Sequence, residues 1–307
     1  MTRSIIRYTA LSAVLLLLLP VVTGCRSCGT KPEEREPDMF ELREADKRVL
    51  DEIRQAERIF RSMPSPLESA MLIRQAEARF DRSILNPVEN ASNYTTTRSM
   101  ALNLGIYTCN LSYAGLYDQT RIIIDYMEAA KRMAEGLGIM DAVSEEAVQR
   151  LEENINNKEI IMDVVAETFM NSSSYLEDNE QTAIAALVLT GGWIEGLYIA
   201  TQLVDMSEFE DNMLVSTIID QKLSIGILAE LLDENRDMAA IEEVAGQIDA
   251  LKAIFDKITL TSTPISTEVD RESNVTILRS EVQADITPEI FIELREAVAD
   301  IRNSFIK

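Results

Sequence analysis

Apolar residues fall at helical spacing over most of the chain, and almost nowhere do they alternate strictly. Met39 to Arg61 sets Phe40, Leu42, Val49, Ile53, Ile59 and Phe60 among dense charge, which predicts an amphipathic helix over 39–62. Ser65-Pro66-Leu67-Glu68 is a capping box with proline at the first helical position, and the helix it opens is expected to run to about Leu85, where Asn86-Pro87 stops it. Further helices are expected over 96–117, 118–137, 144–170, 180–204, 207–234, 237–258 and, after the Thr287-Pro288-Glu289 cap, to about Phe305. Gly136-Leu137-Gly138 supplies a glycine C-cap. Leu260 to Asp270 reads as a Thr/Ser/Pro-rich loop, and Asn274 to Asp285 alternates enough for a short strand or extended segment. The expected fold is therefore all-α: a multi-helix bundle of about nine helices with a short extended segment before the last. No repeat of solenoid length is present. Residues 101–107, ALNLGIY, weakly echo 186–193, ALVLTGGW, as two related halves or two central helices would.

The N-terminus departs from this pattern. Arg3 and Arg7 precede an apolar run from Ala10 to Val22, too short for a spanning helix and suited to an export signal. It ends in Val22-Thr23-Gly24-Cys25, which resembles the lipobox of bacterial lipoproteins. The resemblance covers about the first 25 residues. It implies cleavage before Cys25, lipidation of the Cys25 sulfur and acylation of the new amine. Residues 26–38 are polar, carry two prolines and read as a flexible tether. The expected organisation is a signal peptide over 1–24, a lipidated cysteine and tether over 25–38, and a single helical domain over 39–307. With its acidic tether and helical content the chain resembles the acidic helical lipoproteins of Bacteroidetes type. The lipobox resemblance, with Arg26 rather than Asp after the cysteine, implies a place in the cell envelope, on the periplasmic or surface face of the outer membrane, held through acyl chains on Cys25.

Composition narrows the chemistry. A net charge of −23 argues against nucleic acid as a partner and leaves any membrane attachment to the acyl anchor rather than to charge. The chain has no histidine, which excludes Ser-His-Asp and Cys-His sets and His-ligated metals. Phosphate-loop and dinucleotide fingerprints are missing, and neither a cofactor nor a metal is expected. Cys109 reads as a small buried apolar residue rather than the disulfide partner of Cys28.

Two stretches remain as candidate sites. Residues 184–200 carry one charge, Glu195, with Trp193 and Tyr198 as candidate walls. Such a carboxylate lines a ligand cavity or is satisfied by an arginine from another helix. Residues 99–121 bear a core stripe and, beside it, Asn103, Tyr107, Asn110 and Tyr117, a row of amides and phenols suited to a polar ligand or to the boundary of the core. The expected function is a binding or scaffold role with an envelope protein or a small ligand as partner, in an unknown oligomeric state. The alternative is a His-free hydrolase or lyase, which requires two or more of Glu195, Asp163 and Glu167 to converge on one cleft.

Overall fold

The computed structural model describes residues 63–142, 145–179, 181–262, 266–270, 275–279 and 282–307, all within one compact unit, Arg48–Lys307. The signal segment, Cys25, Cys28, the tether and the helix expected over 39–62 lie outside the described residues. The fold is all-α. Nine α-helices occur among the described residues: α1 (Pro66–Gln75), α2 (Thr97–Leu116), α3 (Thr120–Leu137), α4 (Glu145–Glu153), α5 (Lys158–Asp178), α6 (Thr182–Leu203), α7 (Met213–Asp233), α8 (Ala239–Phe255) and α9 (Pro288–Phe305).

Helices α2 and α6 form the centre and share the most extensive contact in the molecule. Both are apolar on nearly every face, as a helix enclosed by others must be. Helix α6 is long and apolar enough to cross a membrane, yet 89% of its most apolar window is buried inside the protein. Helices α1, α3 and α5 pack on α2, while α1, α7 and α9 pack on α6. Helix α8 rests on α7 and α9, and the short α4 rests on α5.

The central pair approaches to backbone contact. A Cβ on Gly105 would sit 2.0 Å from the Val188 carbonyl oxygen, and one on Gly191 would sit 2.0 Å from the Leu102 carbonyl oxygen. The echo between 101–107 and 186–193 thus falls on the crossing of the two central helices. Gly196, which stands four residues after Gly192 in a GxxxG pair, instead faces the Ser69 side chain of α1.

Local chemistry sets the boundaries. Ser65 and Glu68 form the expected reciprocal cap, and Thr96 forms another with Ser99. Gly138 closes α3 at φ 72°, in the left-handed region that glycine tolerates. Helix α1 ends at Gln75, well before Leu85. Beyond it the chain turns through Glu77 at φ 57°, and its backbone is satisfied by phenols of α2. Tyr113 donates to the Arg79 carbonyl and accepts from the Asp81 N–H, both at 3.1 Å, and Tyr117 donates to the Ala78 carbonyl. The single helix expected over 144–170 is two, α4 and α5. Between them Asn154 bonds back to the Arg150 carbonyl and Asn157 accepts from the Ile160 N–H, the competition with helical bonding typical of asparagine.

The largest difference lies between α8 and α9. The stretch expected to be a loop and one extended segment forms two antiparallel ribbons. Thr259–Ser262 (β1) pairs with Val282–Asp285 (β4), and Ser266–Asp270 (β2) pairs with Val275–Arg279 (β3). Threonine and serine in 259–267 serve strands as readily as loops, which is why composition alone misreads them.

Candidate functional site

Glu195 enters the core on α6 because the helix is covered on all sides, and its side chain is fully buried. Arg302 meets it from α9. The apolar stripe of α9 runs through Phe291, Leu294, Val298, Ile301 and Phe305, and Arg302 stands on that stripe, four residues after Val298. Its guanidinium grips the carboxylate with both ends: Nε donates to Oε2 at 2.9 Å, and a terminal nitrogen donates to Oε1 at 3.2 Å. The same terminal nitrogen donates to the Ile84 carbonyl at 3.2 Å. The guanidinium carbon lies 4.6 Å from the centre of the Tyr198 ring. All of Arg302's charge is therefore spent inside the protein.

A polar network surrounds this pair. The Asn86 amide donates to the Tyr94 hydroxyl at 3.1 Å and to Asn103 Oδ1 at 3.0 Å, and accepts from Asn90 at 2.9 Å. Asn103 in turn donates to the Ser99 and Phe305 carbonyls. Tyr107 donates to the Pro87 carbonyl and Tyr126 to the Asn86 carbonyl. Asn110 lies beside Glu195, although neither of its amide atoms reaches a partner in good hydrogen-bond geometry.

Burial pushes the Glu195 carboxyl above the usual glutamate range, while Arg302, Asn110 and the Asn86 N–H pull it back. Burial also opposes the charge on Arg302, but Glu195 outweighs it and holds the guanidinium above its ordinary value. No protein interior deprotonates an arginine, so the guanidinium stays charged, and its two-point grip on Glu195 favours the carboxylate form against the push of burial. Tyr107, Tyr113 and Tyr126 are all raised, chiefly by burial. Cys109 is a free, fully buried thiol raised well above its ordinary value by burial, and so unreactive.

The residues singled out in the sequence thus part company. Asn103, Tyr107, Asn110 and Glu195 do share one buried region, and Tyr198 joins it through Arg302. Trp193 turns the other way: its indole N–H donates to Gln221 at 3.0 Å and its ring neighbours Phe255. Tyr117 belongs to a separate cluster with Phe80 and Tyr113. Asp163 and Glu167 are exposed on α5, and Glu167 pairs with Arg150 at 2.9 Å. The three carboxylates of the hydrolytic alternative do not converge. Among the described residues no cluster of three metal-ligating side chains occurs.

Open space lies elsewhere. A cavity of about 110 Å³ opens between α2, α3, α4 and α5, with Val188 of α6 also on its lining. Leu104, Leu111, Ala134, Leu151, Val164 and Phe169 give it an almost wholly apolar wall. Sealed and empty, a void of that size would cost about 2–3 kcal/mol, at roughly 24 cal/mol per Å³. The Thr108 hydroxyl on its lining is occupied by the Leu104 carbonyl at 2.8 Å. Lys131 of α3 is the only charged residue of the lining, and its side chain is exposed. Nothing in the sequence pattern signals this cavity: its apolar lining residues read as ordinary core and Lys131 as ordinary surface, and the gap arises from how α4 and α5 meet α2 and α3.

No protein-family model, curated protein or solved structure matches the chain.

Proposed function

We propose that this chain is a lipid-anchored binding protein of the bacterial cell envelope, tethered through Cys25, whose helical domain takes a small apolar ligand in the cavity between α2, α3, α4 and α5. The cavity carries the binding half of the reading. It is apolar, open at a mouth and ringed by four helices, the usual form of a small-molecule site within a helical bundle. The anchor half rests on the order of Arg3 and Arg7, the apolar run and Val22-Thr23-Gly24-Cys25. One acyl chain holds a protein to a bilayer only marginally and two hold it firmly, so such an anchor works despite the chain's negative charge. The Glu195 region supports a structural role instead, since its charges and most of its amides and phenols already satisfy one another.

Two measurements test this. Cells fed an alkyne fatty acid should label the wild-type chain, and Cys25→Ser should lose both the label and membrane retention; a variant still labelled would refute the anchor. Benzene added to the methyl-labelled full chain in lipid nanodiscs should shift the Leu111, Val164 and Val165 methyl resonances saturably. Methyls unmoved by benzene and by linear eight-carbon probes alike would refute the binding site.

A further inference from the structure

The cavity mouth has a chemical polarity that its walls lack. Apart from Lys131, the lining is made of hydrocarbon and a few hydroxyls, and the Thr108 hydroxyl is already committed to backbone. Lys131 takes part in no ion pair among the described residues, in a chain where acids outnumber bases 52 to 29. Acids stand close by: Glu128 and Glu135 lie one turn to either side on α3, both exposed. Even so, the Lys131 ammonium pairs with neither. An uncommitted cation at the rim of an apolar hole is complementary to an amphiphile with one anionic end. The flanking glutamates limit what it accepts. Added negative charge is repelled by both glutamates and held by one lysine, so a dianion such as a phosphate monoester suffers about twice the repulsion of a monocarboxylate.

Size completes the description. An apolar cavity of roughly 150 Å³ accepts benzene. The 110 Å³ here therefore takes a short stretch of hydrocarbon, with the rest of the molecule leaving through the open mouth. We propose that the cavity binds a medium-chain monocarboxylate, its hydrocarbon end held between α2, α4 and α5 and its carboxylate at Lys131. The proposal rests on the cavity being a ligand site, as argued above, and adds the identity of the head group.

Octanoate and octan-1-ol are the probes, titrated into the methyl-labelled full chain in lipid nanodiscs. Comparing wild type with Lys131→Gln in identical nanodiscs cancels the partition of each probe into lipid. Lys131→Gln should weaken octanoate about fivefold, as expected for one exposed charge pair, and leave octan-1-ol within about twofold. Thr168→Trp, which puts an indole into the cavity, should abolish the methyl shifts with both probes. Val148→Phe does the same from the α4 wall and stands in if Thr168→Trp fails to fold. Equal effects of Lys131→Gln on the two probes overturn the head-group assignment. Shifts that survive both filling variants overturn the location. Shifts with benzene but none with octanoate overturn this proposal alone, and shifts with none of the three overturn the binding reading as well.

Discussion

Glu195 and Arg302 are the only charged side chains buried among the described residues, and they are not equivalent. A carboxylate left alone in the core has an escape: it takes up a proton, and burial already pushes Glu195 that way. An arginine has none. Glu195→Gln preserves shape but strands the Arg302 charge, and should cost about 3–5 kcal/mol of stability. Arg302→Met removes the cation, leaves a carboxyl that can neutralise itself, and should cost less. The double variant Glu195→Gln/Arg302→Met should be more stable than Glu195→Gln alone, because the stranded charge is gone. Urea unfolding of the three variants settles the ranking. Additive losses, or a double variant weaker than either single one, would show that the pair is not the coupled unit described here. The same residues mark the limit of reading a sequence for a site. Glu195 stands out because it is the lone charge in a long apolar run. Its partner lies 107 positions away in sequence, and local spacing carries no information about which arginine will arrive. Yet an arginine on the apolar stripe of α9 is itself a signal, the counterpart of a glutamate on α6. Asn86 was visible only as a helix stop, although it joins Asn103, Tyr94 and Asn90.

Between elements, the contact that fixes the architecture is the crossing of α2 and α6, where glycines let two backbones touch. Gly191→Ala would drive a methyl into the Leu102 carbonyl, which cannot move without moving α2. Overpacking of that kind costs about 1–3 kcal/mol and more where backbone must shift, so a loss of at least ~3 kcal/mol is expected. Gly246 of α8 offers the opposite case: a Cβ there meets nothing within 4 Å. Gly246→Ala should stabilise by about 0.5–1 kcal/mol through helix propensity alone. Thermal midpoints that move in opposite directions confirm the distinction, and a neutral Gly191→Ala would mean the central helices separate easily. Most helix limits were readable, since caps such as Ser65, Thr96, Gly138 and Thr287 are local chemistry. The end of α1 was not, because what stops it is a pair of phenols on α2, supplied by tertiary structure. The same holds for the cavity, a property of how four helices meet rather than of any one.

For the molecule as a whole, buried phenols act as fasteners. Tyr113 and Tyr117 hold residues 78–81, and Tyr107 and Tyr126 hold Asn86 and Pro87. Tyr94 and Asn103 reach the carbonyls of Ile306 and Phe305, so the start of α2 is tied to the end of α9. Every one of these phenols donates its proton to a carbonyl, and a phenolate has none to donate. Burial raises Tyr107, Tyr113 and Tyr126 above the ordinary value of 10.0. Below pH 10 the folded and unfolded chains both keep these protons, and the contribution to stability is complete. Above it the unfolded chain releases them while the folded chain does not, so stability falls as pH rises towards the raised folded values. Each withheld proton contributes a slope of about 1.4 kcal/mol per pH unit, or roughly 4 kcal/mol per unit for three. A chain that already carries −23 has little reserve against further negative charge. Alkaline unfolding should therefore be a single step, with helix loss in circular dichroism and buried phenolate absorbance near 295 nm rising together. Tyr107→Phe should remove one phenolate from that step. Buried phenolates that appear before helix is lost would show that the segment between α1 and α2 opens by itself, and that the phenols fasten a flap rather than the whole fold.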